Sequence, residues 1–165
     1  MHSKGVISTK LYIKQKVFSW GDKFTVKDSS GLDRYFVEGE VFSFGKKLHV
    51  YTPQHKEVAY IEQKLLTWMP RYSVFLGDQE VAQVVREFSF FHPRYRIEGL
   101  GWDVEGAFWE HEYEISQAGR LVASIHKEWM TWGDSYELDI TDADDEILAL
   151  ATILAIDAVV ESQKN

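Results

Sequence analysis

Residues 147–160 read Ile147-Leu-Ala-Leu-Ala-Thr-Ile-Leu-Ala-Ile-Asp-Ala-Val-Val160. No polar/apolar alternation runs through them, and Ala and Leu, both strong helix formers, are abundant. Asp142, Asp144, Asp145 and Glu146 stand just before, where acidic side chains cap and charge-match the free N–H groups of a first helical turn. The spacing Asp142, Asp144, Glu146 also resembles the start of a calcium loop. Such a loop wants Gly at its sixth place and Glu at its twelfth, and here those are Ile147 and Ile153. Capping is therefore the reading taken. A helix apolar on every side is buried all round or lies in lipid. This one is short of the roughly 20 residues a span needs, and Thr152 and Asp157 interrupt it. It is predicted to be enclosed by protein.

What encloses it is written upstream. Ile13-Lys-Gln-Lys-Val-Phe-Ser-Trp20, Ile61-Glu-Gln-Lys-Leu-Leu-Thr-Trp68 and Ile125-His-Lys-Glu-Trp-Met-Thr-Trp132 are copies of one another. Weaker copies start at Val37, Val84 and Trp102. The eighth position is always aromatic (Trp20, Phe44, Trp68, Phe91, Trp109, Trp132) and the fourteenth always aliphatic (Val26, Val50, Val74, Ile97, Ile115, Leu138). The flanks are rich in β-branched and aromatic residues, and the middles carry Gly21-Asp22, Gly45-Lys46, Pro70, His92-Pro93 and Gly133-Asp134. That is the pattern of a hairpin. The alternation slips near Phe18 and Trp20, which predicts a bulge or aromatic packing there. Six hairpins make about twelve antiparallel strands. A barrel of that size leaves a lumen, and a helix about 10–12 Å across fills one. The expected fold is mainly β: a closed antiparallel barrel of about twelve strands around a central C-terminal hydrophobic helix, one domain over residues 1–165. The abundance of Trp and Tyr at fixed hairpin positions is read as core packing.

The chain has 165 residues, 45% hydrophobic and 15% aromatic, with three prolines and no cysteine. Disulfides, thiolate metal sites and a Cys nucleophile are thereby excluded. The first residues, Met1-His2-Ser3-Lys4-Gly5, carry no apolar run of signal-peptide type, so a cytoplasmic protein is expected. Net charge is −8 and unevenly placed. Residues 1–96 hold 15 Lys and Arg against 10 Asp and Glu; residues 97–165 hold 3 against 16. An acidic chain is a poor general ligand for nucleic acid, which demands a basic surface.

The (Ser/Thr)-Trp hairpins, followed by an apolar helix containing Ala155-Ile-Asp-Ala-Val159, resemble the LURP-one-related family, including its YxjI-type group, within the tubby C-terminal-like superfamily. The resemblance runs from about Leu11 to about Glu161. It implies a twelve-stranded barrel around a hydrophobic helix. It also implies a kinship of fold with phospholipid scramblases and with tubby domains, which bind phosphoinositide headgroups on the barrel exterior. The expected role is a non-enzymatic barrel, peripheral to a membrane, that binds a phospholipid headgroup or a protein partner on its outer wall. The alternatives are a scaffold without a small ligand and a scramblase-like lipid-handling protein.

Lys14, Lys16, Lys46, Lys47, Arg71, Arg94 and Arg96 are the candidate anion or lipid ligands. Lys46, Lys47, Arg71 and Arg94 fall at equivalent hairpin ends, and Arg pairs well with phosphate. Asp157, a carboxylate within an apolar helix, must be paired, hydrogen-bonded or neutral. The backbone or an inward Lys, Arg, Trp or Tyr is its expected partner, Arg86 and Lys127 among them. Glu110-His111-Glu112 falls in a hairpin turn, and no metal role is assigned to it. No phosphate loop, nucleophile elbow, HExxH or paired-carboxylate site appears, and no cofactor is expected.

Overall fold

The computed structural model describes residues 5–14, 23–40, 44–130 and 133–163, and the backbone alone at 129, 130, 133 and 134. Its strands are β1 (Thr9–Lys14), β2 (Lys23–Asp28), β3 (Asp33–Gly39), β4 (Lys47–Tyr51), β5 (Glu57–Gln63), β6 (Arg71–Leu76) and β7 (Gln79–Glu87). They continue as β8 (Arg94–Glu98), β9 (Trp102–Ala107), β10 (Glu112–Gln117), β11 (Arg120–Met130) and β12 (Gly133–Ile140). One helix follows, α1 (Glu146–Glu161).

Chain neighbours pair antiparallel, and β1 also pairs with β12, from Thr9 opposite Ile140 to Lys14 opposite Ser135. The twelve strands form one sheet in the order β8-β7-β6-β5-β4-β3-β2-β1-β12-β11-β10-β9. It curls into a nearly closed barrel whose seam lies between β8 and β9. No ladder joins those two strands among the described residues. Side chains meet at the seam instead: the rings of Tyr95 and Phe108 pack edge-on, centroids 4.7 Å apart.

Registration follows the hairpin repeat. The first position of each copy (Ile13, Val37, Ile61, Val84, Trp102, Ile125) is buried, and so is every fourteenth position. In four copies the two sit opposite one another: Val37 and Val50, Ile61 and Val74, Val84 and Ile97, Ile125 and Leu138. Since side chains alternate across a strand, fixing this pair fixes which face of every hairpin looks inward. Register shifts follow the fourteenth position at Val26, Val50, Val74 and Ile115. Each adds local twist to a sheet that must curve. Phe18 and Trp20, where the alternation slips, lie outside the described residues.

Helix α1 fills the barrel. Residues 149–160 are buried without a break, and the helix packs against β5, β6, β7 and β12. Its polar residues are satisfied locally. The Thr152 hydroxyl donates to the Leu148 carbonyl at 2.7 Å. Ahead of the helix, Asp142 accepts from the Asp144 amide at 3.0 Å and so caps the short turn Ala143–Asp145. Glu146 points inward, where it accepts from the Arg34 Nε at 3.0 Å and from the Tyr35 hydroxyl. The acidic run before the helix thus ends in a cap and a buried ion pair.

The up-and-down order decides where the loops lie. Every connection from an odd strand to the next even strand falls at one end of the barrel, and every even-to-odd connection falls at the other. Glu146 lies at the second end, beside the start of β3. The helix therefore runs toward the first.

Candidate functional site

The odd-to-even loops form a rim. Among the described residues they hold Phe44, Leu65, Leu66, Trp68, Phe88, Phe90, Phe91 and Trp109, all exposed. Phe44 is 93% exposed, Trp68 96% and Phe91 89%. These three, with Trp109, are the eighth positions of their hairpins, and their expected packing in the core is overturned. The reason is geometric. The eighth residue falls beyond the last strand pair, on the hairpin tip, where alternation no longer assigns a face. Trp20 and Trp132 occupy the same position in their copies but lie outside the described residues.

Below the rim, on the wall built by β5 to β8, opens a cleft of about 700 Å³. Lys64, Trp68, Arg71, Arg86, Glu87 and Arg96 line it. Arg71 and Arg96 alternate with inward Tyr72 and Ile97 and so face outward. Both reach the Glu98 carboxylate, at 3.3 Å and 2.6 Å. Arg71 also donates to the Gln83 side-chain oxygen at 2.6 Å, and Arg96 to Glu87 at 2.9 Å. Lys64 stands 3.6 Å from Glu80. Arg86 differs: its Nε is buried and has no hydrogen-bond partner among the described residues. Lys64, Arg71 and Arg96, with Arg86 at the inner margin, suit an anion with several oxygens.

The other candidate cations are spread along the rim. Lys47, Arg71 and Arg94 open β4, β6 and β8, so successive members stand two strand spacings apart, about 10 Å, and do not converge. Lys47 approaches Glu62 at 4.0 Å. Its pKa is raised by a hydrogen bond with Tyr60. Burial lowers that of Lys46, partly opposed by Glu161. Lys14 and Arg94 are exposed; Lys16 lies outside the described residues. Of the seven candidates only Arg71 and Arg96 share the cleft. Lys64 and Trp68 were visible only as repeat positions.

Beneath the rim the helix presents Asp157. It is buried and accepts a hydrogen bond from the Tyr136 hydroxyl. His111 stacks on the Tyr136 ring, centroids 4.2 Å apart at 12°, and brings its Nε2 to 3.6 Å from the Asp157 carboxylate. Lys127, an expected partner, is exposed instead. Arg86 stands on the inward face, opposite Tyr95, and its Nε makes no hydrogen bond among the described residues. Burial, reinforced by the Asp157 charge, holds the Tyr113 and Tyr136 hydroxyls well above the usual phenol range. His111 takes its position from a left-handed backbone, φ 53°, at the end of the turn Phe108–Glu110. Its neighbour Glu112 faces elsewhere, accepting from the Lys127 amide at 2.9 Å. The Glu110-His111-Glu112 run therefore does not converge on one point. No group of three metal-ligating side chains suited to an ion occurs among the described residues.

The family model for LURP-one-related proteins matches residues 9–157, almost the whole barrel and most of the helix. The chain belongs to the LURP-one-related family. Its relatives include the uncharacterised protein YxjI of Bacillus subtilis, 33% identical over 156 residues, covering 94% of this chain and 96% of that one. Among solved structures, an Arabidopsis thaliana protein superposes with a TM-score of 0.63 over 92% of this chain and 91% of its own. It is 15% identical, so the likeness is one of fold. In this LURP-one-related chain no helix among the described residues is long and apolar enough to cross a membrane.

Proposed function

We propose that this LURP-one-related barrel is a non-enzymatic module that works at a membrane surface and binds an anionic phospholipid headgroup on its outer wall. One observation supports this most: the cleft of about 700 Å³ gathers Lys64, Arg71 and Arg96, with Arg86 at its inner margin. Interior ligands are disfavoured, since α1 occupies the lumen. Glu87 and Glu98 hold Arg71 and Arg96 in place and moderate the site's charge. The expected attraction is therefore modest and salt-sensitive. The reading is tested by co-sedimentation with vesicles of phosphatidylcholine alone or mixed equally with phosphatidylglycerol. Binding to the mixed vesicles that weakens between 0.1 and 0.5 M NaCl, and weakens in Arg96→Gln, is the expected result. Equal retention on both vesicle types, or none on either, removes the headgroup reading.

A further inference from the structure

We infer that the aromatic rim is a membrane-insertion surface, so that the barrel docks end-on with α1 pointing at the bilayer. The inference rests on the membrane named above as partner, but not on the cleft as its anchor. Exposed apolar patches of this extent mark interaction surfaces in monomeric proteins. Here the patch is also periodic. In all six hairpins the eighth residue is Trp or Phe, and up-and-down topology delivers the described tips, with Phe44, Trp68, Phe91 and Trp109, to one end. Nothing in the barrel's own packing calls for this, because the described rim rings stand in solvent: Phe44, Trp68 and Phe91 are each close to fully exposed.

The choice of a bilayer over a protein groove rests on composition and charge. Aromatic rings interleaved with Lys and Arg suit the water–lipid boundary, where an apolar body and a polar neighbour are both accommodated. Loops and strand ends here hold Lys14, Lys23, Lys46, Lys47, Lys64, Arg71 and Arg94 against Glu40, Glu87, Glu110, Glu112 and Glu161. The opposite end exposes Val6, Ile7 and Leu32 but no Trp, Phe or Tyr among the described residues. Its turns and strand ends carry Asp28, Asp33, Glu57, Asp78, Glu98, Asp142, Asp144 and Asp145 against Lys56 and Arg120. A chain with net charge −8 thus turns its basic, apolar end outward as one face and its acidic end away, which is the polarity an anionic surface selects. A ring of separate tips, spaced about 10 Å apart along the rim, also fits a fluid surface better than a single rigid groove.

The test is vesicle partitioning of the full chain on equimolar phosphatidylcholine and phosphatidylglycerol at 0.1 and 0.5 M NaCl. Phe44→Ala and Phe91→Ala alter nearly fully exposed rings outside the cleft, so the melting midpoint stays within about a degree of the native value. Each is expected to lower the partition coefficient roughly tenfold at both salt concentrations, because an immersed ring acts through apolar area. Arg96→Gln, in the cleft, by contrast acts at low salt only. Loss in Arg96→Gln with native partitioning of Phe44→Ala and Phe91→Ala overturns the rim and leaves the headgroup reading standing. The reverse pattern upholds the rim and removes the cleft. Sedimentation velocity closes the remaining route: a native dimer that Phe91→Ala converts to monomer makes the rim a self-association surface and overturns the proposal.

Discussion

Removing the Asp157 carboxylate tests the barrel's interior at its most exacting point. Asp157→Ala deprives the Tyr136 hydroxyl of its acceptor in a place where that ring is almost wholly enclosed. It also withdraws the charge facing His111 across 3.6 Å. An orphaned buried donor costs about 1–3 kcal/mol. Against this, the variant no longer has to desolvate a carboxylate, which returns part of the loss. A net destabilisation of about 1–3 kcal/mol is expected. For a chain of this size that lowers the melting temperature by about 2–12 °C, at about 2–4 °C per kcal/mol. Scanning calorimetry at pH 7 checks it, with Glu114→Ala, exposed on β10, as the control expected within about 0.5 kcal/mol of native. Asp157→Asn keeps an oxygen for Tyr136 and should lose less than Asp157→Ala. Tyr136→Phe removes the same bond from the other side. The double variant should therefore lose less than the two single losses together, by about 0.5–3 kcal/mol. A native midpoint in Asp157→Ala, or strict additivity with Tyr136→Phe, would refute the reasoning.

The remaining predictions concern alkali, the base of the helix and one glycine. Tyr113 and Tyr136 have pKa values raised by burial and by Asp157, so the unfolded chain loses their protons first. Their contribution is complete below pH 10 and falls by about 1.4 kcal/mol per tyrosine for each pH unit above it. Denaturant midpoints at pH 8 and pH 11 should show this, with phenolate absorbance from the buried rings appearing only on unfolding. Tyr35→Phe leaves buried Glu146 with Arg34 as its charged partner and should cost about 1–2 kcal/mol in urea melts. Gly106 has φ 138°, and a Cβ there would stand 2.5 Å from the Glu112 carbonyl oxygen. Gly106→Ala should thus destabilise by about 2 kcal/mol or more, whereas Glu105→Ala on the same exposed stretch should stay within about 0.5 kcal/mol.

The architecture was legible because two periodicities coexist in the chain. Ile13, Val37, Ile61, Val84, Trp102 and Ile125 recur with turn chemistry between them, while residues 147–160 break that period with an apolar run too short for lipid. The one structure those facts share is a wide sheet with a helix inside it. Where the reading failed, it failed at hairpin tips. An aromatic at a constant repeat position looks like core until the ladder is known, and Trp68 and Phe91 lie just past it. The cleft was half legible. Arg71 and Arg96 stood among the candidates, and Arg86 was read as inward, as its place opposite Tyr95 has it, but counting positions could not show that these strands bring them round one opening. The contact of His111 with Asp157 left no mark in the sequence, since it depends on a left-handed residue in a turn and on the helix reaching that end of the barrel.

The order of elements along the chain has a consequence for biosynthesis. Translation delivers twelve strands, each with one oily face, before it delivers α1, around which they must close. Until residues 146–161 leave the ribosome there is nothing to occupy the middle of the sheet, and Ile61, Val74 and Val84 have no inner neighbour. The nascent chain must therefore wait in an open, adhesive form, shielded by the factors that attend new polypeptides, and close in a single late event. Nonsense mutations anywhere before Glu146 should accordingly yield insoluble product rather than a smaller folded barrel.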